Sequence, residues 1–519
     1  MKRSHLSAWI LLGTGIAGCM PAPPAPAERV IAPWTAVLDS AGESGAPALA
    51  TASPTPTLTP LMGIAPTRIP GELYPTPTPD PIRPPPPVRT DSEMYVVQPG
   101  DNLGGIASRY GVSPALVAQA NGLVYPDWLP VWASLTIPPP SLRPTGPAFK
   151  ILPDSGMVYG PPAVYFNVES DLAQFDGYLA YYQEEVDGEL LSGAAIVQRV
   201  AEQYSVSPRL LLALLEHQSG WLTNRAPAET QRAYPLGYLN DPTPGLYSQL
   251  SWAANLLNSG YYRWRAGWAG PIPLLDGSSV PAGPGINAAT VAVQVFFAAL
   301  LPYAEWERTV GPEGFTQTYA VLFGDPFALE LDPLIPTDLT QPKLQLPFEV
   351  GKVWSYTGGP HSAWGSGSGW AALDFAPPGN ALGCVFSDEW VTAAADGLVL
   401  RSREGEVLLD LDQDGYEQTG WVLLYMHIES RDRVTVGSQV TAGARIGHPS
   451  CEGGVSDGTH VHLARKYNGE WIPADRDLPL ELDGWVSAGT GLEYDGTLER
   501  AGVTLEACSC RNDENQVSR

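Results

Sequence analysis

The residues with the clearest chemical potential are histidines in the last third of the chain, together with one aspartate. They are His361, Asp374, His427, His460 and His462. Because alternate residues of a β-strand point to the same face, His460 and His462 can enter one site. Two neutral imidazoles and one carboxylate form a three-ligand zinc set that leaves a coordination position open for water. These residue types therefore predict a hydrolytic zinc site.

The sequence around these residues has the pattern of a β-rich domain. Short apolar runs separated by glycine-containing turns predict strands at Gly397–Ser402, Val407–Leu411, Gly420–His427 and Val434–Ile446. We therefore expect a β-sheet to position the histidines.

These histidine-bearing segments, in this order, resemble the LytM/lysostaphin-type zinc endopeptidases of bacterial cell walls. The resemblance implies an antiparallel all-β peptidase domain over residues 341–490, followed by a polar tail over residues 491–519. It implies that Asp374 and His462 bind Zn²⁺. It also implies that His427 and His460 are the catalytic histidines, which orient water and stabilise the developing oxyanion.

The chain departs from this family at the first metal ligand. The family usually has a histidine four residues before the aspartate, and this chain has Trp370 there. We expect the Gly/Ser loop Gly365–Gly369 to let His361 take the ligand position, giving a metal set of His361, Asp374 and His462. A second interpretation stays open: a non-enzymatic murein-hydrolase activator, a class of lipoprotein whose LytM-type domain has lost zinc ligands.

The first nineteen residues have the pattern of an export signal. Lys2 and Arg3 precede an apolar stretch, Leu6–Ile16, that is too short to span a bilayer as a helix. Ile16-Ala17-Gly18-Cys19 resembles the lipobox of bacterial lipoproteins, which implies cleavage before Cys19 and lipidation of that cysteine. The expected location is outside the cytoplasm, on a membrane, facing the cell wall. The alternative is an ordinary signal peptide with an incidental cysteine.

Residues 20–93 have the composition of a tether. Between Pro21 and Thr90, 19 of 70 residues are proline, with Thr-Pro repeats. Such a segment cannot bury a core and is expected to be disordered and polyproline-like.

Residues 94–140 alternate strand and helix signals. Val96 and Val97 predict a strand, Asp101 a helix cap, Ser113-Pro114 a second helix start, and Leu135–Ile137 a closing strand. This βααβ order resembles a LysM domain, which implies binding to N-acetylglucosamine-containing glycans such as peptidoglycan.

Residues 150–340 predict a mainly α domain, with helices at Ser192–Tyr204, Ser207–His217, Tyr247–Asn258 and Asn287–Leu301. The leucine-rich second helix runs into Glu216-His217-Gln218-Ser219, which faintly resembles lysozyme-like lytic transglycosylases. Glu216 is the candidate glycan-cleaving acid. However, Gln218 precedes Ser219, and Glu216 lies about 200° around the helix from it. A degenerate, glycan-holding or spacing domain therefore stays open, as does a glycan-cleaving enzyme.

Several other features need an interpretation. Cys384 and Cys451 flank the expected site in an exported chain, which favours a disulfide, whereas the pairing of Cys508 and Cys510 stays open. Asp410–Gly415 is similar to the start of a calcium loop, but its twelfth position is a tryptophan, which favours a hairpin turn. His448 is interpreted as a loop residue outside the ligand set.

The chain as a whole is expected to be a lipid-anchored peptidoglycan hydrolase that cuts the peptide crosslinks of murein. Its 29 basic and 55 acidic residues give a net charge of −26, which argues against nucleic-acid binding because phosphates require basic patches. The sequence does not determine the oligomeric state or the peptide bond that is cleaved.

Overall fold

The structure is a computed structural model. It describes residues 89–98, 101–123, 128–239, 244–268, 270–379 and 381–519. The predicted export signal, Cys19 and nearly all of the predicted tether lie outside the described residues. Among the helices of the described ranges, none is both long and apolar enough to cross a membrane.

The segment before residue 140 is a two-stranded antiparallel sheet with two helices inserted between its strands. Its elements are β1 (Glu93–Val96), α1 (Leu103–Arg109), α2 (Pro114–Asn121) and β2 (Ser134–Ile137). The side chain of Asn102 accepts the N–H of Gly105, so Asn102 and not Asp101 caps the first helix. Ser113 caps the second helix, and Gly122 ends it in the left-handed conformation.

The middle region is mainly helical. Its elements are β3 (Ser141–Leu142), α3 (Val168–Leu172), β4 (Gln183–Val186), β5 (Glu189–Ser192), α4 (Gly193–Tyr204), α5 (Pro208–Ser219), α6 (Glu229–Ala233), α7 (Leu246–Arg265), β6 (Ile272–Pro273), β7 (Ser278–Val280), α8 (Ala288–Ala298), α9 (Tyr303–Thr309) and α10 (Phe315–Phe323). The four predicted helices are all present. α7 continues past its predicted end because Tyr261, Tyr262 and Trp264 are buried in the core.

The last third is built from strands. They are β8 (Val353–His361), β9 (Ala372–Ala376), β10 (Val391–Thr392), β11 (Gly397–Arg403), β12 (Glu406–Asp410), β13 (Trp421–Met426), β14 (Gln439–Val440), β15 (Arg445–Gly447), β16 (Val461–Tyr467), β17 (Glu470–Trp471), β18 (Glu481–Leu482), β19 (Trp485–Gly489), β20 (Gly496–Arg500), β21 (Val503–Glu506) and β22 (Gln516–Ser518). The predicted strand Val434–Ile446 is instead divided between β14 and β15.

The main sheet has the antiparallel order β14-β11-β12-β13-β16-β9-β8-β22, with β17 paired to β16. Both faces of its central strands are covered. Leu424 belongs to the apolar core shared with the middle region, whereas its neighbours Leu423 and Tyr425 belong to a second core on the opposite face. Because neither face meets water, these strands read as continuous apolar runs and not as an alternating pattern.

Residues 491–519 are not the polar tail that we expected. β20 and β21 extend a second antiparallel sheet with the order β18-β19-β20-β21. β22 pairs with β8 at the edge of the main sheet, with Gln516 opposite Ser355. Cys508 and Cys510, whose pairing the sequence left open, are joined to each other. This segment is polar in composition because its strands are short and have exposed residues between the buried ones.

Candidate active site

The candidate site lies at one end of four adjacent strands of the main sheet. His361 ends β8, Asp374 lies in β9, His462 lies in β16, and His427 directly follows β13. Asp374 is the antiparallel partner of His462, whose other neighbour is Met426. The sheet register therefore brings together residues that are up to 101 positions apart in the sequence.

Three atoms converge at the centre of this cluster. The Nε2 atom of His361 is 2.9 Å from Nδ1 of His462 and 3.3 Å from Oδ1 of Asp374. Nδ1 of His462 is 3.2 Å from the same carboxylate oxygen. Ligand atoms that share a tetrahedral zinc ion at 2.0–2.1 Å are separated by about 3.3 Å. The triangle of donor atoms thus has the dimensions of one face of such a site.

Backbone carbonyls determine which ring nitrogens face the centre. Nδ1 of His361 lies 2.7 Å from the carbonyl oxygen of Gly359, and Nε2 of His462 lies 3.1 Å from that of Ala363. A carbonyl can only accept, so these nitrogens carry the protons and the opposite nitrogens present lone pairs. Oδ1 of Asp374 is buried without a hydrogen-bond partner among the described residues. Three acceptors without a shared donor fit a cation.

The two remaining histidines line the same cluster in a similar way. Nδ1 of His460 donates to the Gly458 carbonyl at 2.7 Å, and its Nε2 is 3.7 Å from Oδ1 of Asp374. Nδ1 of His427 donates to the Glu452 carbonyl at 3.1 Å. The His427 and His460 rings lie 4.4 Å apart between centroids. Each ring therefore keeps one nitrogen without a proton, and that of His460 lies beside the three donor atoms.

The electrostatics of the site also favour a positive charge at its centre. Burial alone would lower the pKa of His361, but the charge of Asp374 outweighs it and raises that pKa. Burial opposes ionisation of Asp374, yet His361 and His460 hold its pKa well below the usual value. Burial lowers the pKa of His462. The carboxylate is thus ionised, and its negative charge favours a cation among the three donor atoms.

His427 has a different environment. Burial, followed by the neighbouring His460 and His462, lowers its pKa to about 3. A histidine with so low a pKa is neutral at pH 7.

Residues 491–519 supply part of the site wall. The ring of Tyr494 stacks on that of His361, with centroids 4.2 Å apart. Glu493 accepts hydrogen bonds from the backbone N–H and the hydroxyl of Ser362, at 3.0 and 2.8 Å. Sequence reasoning missed Glu493 and Tyr494 because it placed them in a tail. The only local signal was a leucine and a tyrosine within a polar, glycine-containing stretch.

Two loops beside His460 are joined by the disulfide between Cys384 and Cys451. The Thr459 hydroxyl accepts from Val385 N–H at 2.8 Å and lies 2.5 Å from the carbonyl oxygen of the same residue. These bonds fix the residue that directly precedes His460.

Three other residues considered in the sequence analysis make their contacts with other parts of the chain. Trp370 contributes its backbone carbonyl to Ala474 N–H. His448 hydrogen-bonds to the Glu389 carbonyl and packs against Trp390. The side chain of Asp410 accepts from two backbone N–H groups of its own hairpin turn, as a turn residue does.

Glu216 has a local bonding role in the middle region. Its carboxylate accepts the N–H of Leu222 at 2.8 Å and the hydroxyl of Thr223 at 2.5 Å. Both partners belong to the turn that follows α5. These bonds hold the carboxylate against that turn, which gives it a structural role in the middle region.

Comparisons with known proteins identify two regions by family models. Residues 95–138 match the LysM domain, and residues 150–336 match the model described as the N-terminal domain of LasA. Protease LasA of Pseudomonas aeruginosa is 28% identical over 343 residues, which are 62% of this chain and 74% of that protein. The lysozyme-like prediction for the middle region gains no support from these matches.

Two solved structures are also similar to part of the chain. Pseudoalterin, a metalloprotease from the deep sea, is 26% identical, covers 32% of this chain and 96% of its own, and has a TM-score of 0.28. The catalytic domain of lysostaphin from Staphylococcus simulans is 24% identical, covers 23% of this chain and 87% of its own, and has a TM-score of 0.17. The chain therefore contains a LysM domain, and 62% of it is similar in sequence to the protease LasA.

The His361→Ala substitution tests the relocated ligand. It removes one of the three converging atoms, so zinc affinity should fall by about a hundredfold or more, measured by competition with a chromophoric chelator. His448→Ala is the matched control, because it removes a buried histidine outside the cluster. Equal zinc affinity of the His361 variant and the wild type would show that His361 is not a ligand.

The Glu216→Ala substitution tests the role of that carboxylate. Loss of the bonds to the turn after α5 should lower the free energy of unfolding by about 1–2 kcal/mol, measured by urea denaturation. Neither the wild type nor the variant should release new reducing sugar ends from murein. Release by the wild type that the variant lacks, with the fold intact, would contradict the structural role.

Proposed function

We propose that the protein is a zinc-dependent endopeptidase that cuts the peptide crosslinks of peptidoglycan. The observation that carries this proposal is that three lone-pair atoms lie within 3.3 Å of one another: Nε2 of His361, Nδ1 of His462 and Oδ1 of Asp374. These three residues would hold the ion. The name of the similar protease LasA supports peptide hydrolysis as the reaction.

A zinc ion bound there would supply a Lewis acid and lower the pKa of its water from about 16 toward 7. The protein's own contribution is the placement of proton acceptors and donors beside it. His427 and His460 each direct one ring proton to a backbone carbonyl and keep the other nitrogen free. One of them would take the proton of the attacking water and pass it to the leaving amine. The other would take a proton from solvent and donate a hydrogen bond to the oxygen that gains charge.

The surrounding residues exclude most water from the proposed metal ligands. His361 and His462 are buried, with relative exposures of 2% and 7%, whereas His460 is partly exposed. Substrate therefore approaches from the side of His460 and Tyr494, the latter about half exposed. Low exposure of the ligand rings strengthens their interaction with charge, because little water screens it.

The rest of the chain supports targeting to the cell wall. The LysM domain would bind the glycan strands of peptidoglycan, and lipidation of Cys19 would anchor the protein to a membrane outside the cytoplasm. Residues 20–93 would act as a spacer between the anchor and the folded part. We assign no nucleic-acid partner.

The main alternative is an activator with a degenerate LytM-type domain. The missing histidine at Trp370 favoured it, but the position of His361 restores a third donor atom at the cluster. A second alternative, glycan cleavage through Glu216, is disfavoured by the engagement of that carboxylate with the turn after α5.

Digestion of purified crosslinked murein tests the proposed reaction. The zinc-loaded full chain should convert crosslinked muropeptides to uncrosslinked ones and release new amino groups without new reducing sugar ends. His460→Ala should lower the rate by about a hundredfold or more, because a proton-transfer group of this kind contributes 10²–10⁴. His448→Ala should retain the rate. Stoichiometric zinc without crosslink cleavage would favour the activator.

Cys19→Ala tests the anchor. The thiol carries the lipid in a lipobox sequence, so the variant should leave the membrane fraction and lose labelling by a clickable palmitate analogue. The measurement is fractionation with immunoblotting. Undiminished labelling in the variant, or its absence from the wild type, would contradict lipidation at this position.

A further inference from the structure

The loop between β8 and β9 is a closed hairpin that reaches the metal cluster through one carbonyl. Ala363 N–H donates to the Gly369 carbonyl at 3.1 Å, and Trp364 N–H donates to the Ser368 hydroxyl at 2.9 Å. The carbonyl of Ala363 accepts from Nε2 of His462. The position of this loop therefore determines which nitrogen of His462 faces Asp374.

The tip of the loop is held by a side chain of the middle region. The side-chain oxygen of Asn255, on α7, accepts the N–H of Gly367 at 2.8 Å, and its amide nitrogen donates to the Ser366 hydroxyl at 3.0 Å. An asparagine can form both bonds because its amide contains an acceptor and a donor. The loop also lies very close to the helix, since an added Cβ on Gly367 would overlap the backbone carbonyl of Asn255.

The same helix is attached to the strand hairpin that carries His462. The hydroxyl of Tyr262 accepts the N–H of Trp471 at 3.0 Å, and Arg265 pairs with the buried Glu470 at 3.0 Å. Glu470 and Trp471 form β17, which pairs with β16. α7 thus contacts both β17, which pairs with the strand that bears His462, and the loop that orients His462.

We propose that Asn255 is a positioning residue for the metal centre, and that α7 makes the middle region a structural part of that centre. It keeps the Ala363 carbonyl at the Nε2 atom of His462, so that the Nδ1 lone pair faces the other ligands. The role in metal binding rests on the proposed zinc site. The role in ordering the loop concerns the protein chain alone.

The full chain with Asn255→Ala tests this proposal. Loss of a group that orients a ligand typically costs 10–100-fold in metal affinity, so zinc should bind about tenfold more weakly. The visible spectrum of the cobalt-substituted protein should also change, because the orientation of His462 changes. Asn255→Asp, which keeps the acceptor for Gly367 and loses the donor to Ser366, should give an intermediate effect.

Asn167→Ala is the matched control. Asn167 directly precedes α3, and its side-chain oxygen accepts the N–H of Ser170 at 2.8 Å inside the middle region. This variant should lose stability yet keep the zinc affinity and the cobalt spectrum. Gly367→Ala disrupts the same contact from the loop side. Its combination with Asn255→Ala should be no worse than the single variants, because both remove one interaction.

Hydrogen–deuterium exchange of the metal-free protein separates this proposal from the proposed function. Residues 362–371 should exchange faster in the Asn255 variant and at the wild-type rate in the Asn167 variant. Unchanged exchange of the loop, or wild-type zinc affinity with an unchanged cobalt spectrum, would overturn the positioning role. If the wild type binds no zinc but the exchange of the loop still differs between wild type and variants as predicted, the zinc site alone is overturned.

Discussion

The geometry of the site depends on hydrogen bonds from imidazole rings to backbone carbonyls. His361, His427, His460 and His462 each donate one ring proton to a main-chain oxygen. That bond fixes the tautomer and leaves the opposite nitrogen bare. Because the accepting carbonyls belong to different loops, the loops must be held in place before the rings can present their lone pairs to one point. Much of the surrounding structure serves this requirement.

The residues that hold these loops come from segments that are far apart in the sequence. The segment after residue 490 contributes the ring of Tyr494 and the carboxylate of Glu493, which hold the His361 side of the site. A disulfide holds the loops beside His460. The middle region covers one face of the main sheet, so that face of the sheet and the helices share one apolar core. Residues 150–336 are therefore packed against the part of the chain that carries the candidate site.

The sequence predicted the histidines and the aspartate of the site better than the residues that hold them in place. His460 and His462 could be placed together because strand alternation is a local rule, and glycine turns bounded most of the strands. The Gly/Ser loop led to the prediction that His361 takes the ligand position at which this chain has no histidine, and the structure brings Nε2 of His361 to 3.3 Å from Oδ1 of Asp374. The contacts of Asn255 and Tyr494 had no local signature, because they arise from pairings between distant segments. The segment 491–519 was misjudged since short strands with alternating exposure look polar throughout.

The ligand shell of the bound metal is the most direct measure of the central claim. Zinc K-edge X-ray absorption on the full chain should show one equivalent of zinc with two imidazole nitrogens and a carboxylate oxygen at about 2.0–2.2 Å. The remaining light scatterer would be water. Substoichiometric zinc, or a shell with a single imidazole, would contradict a site built from His361, Asp374 and His462.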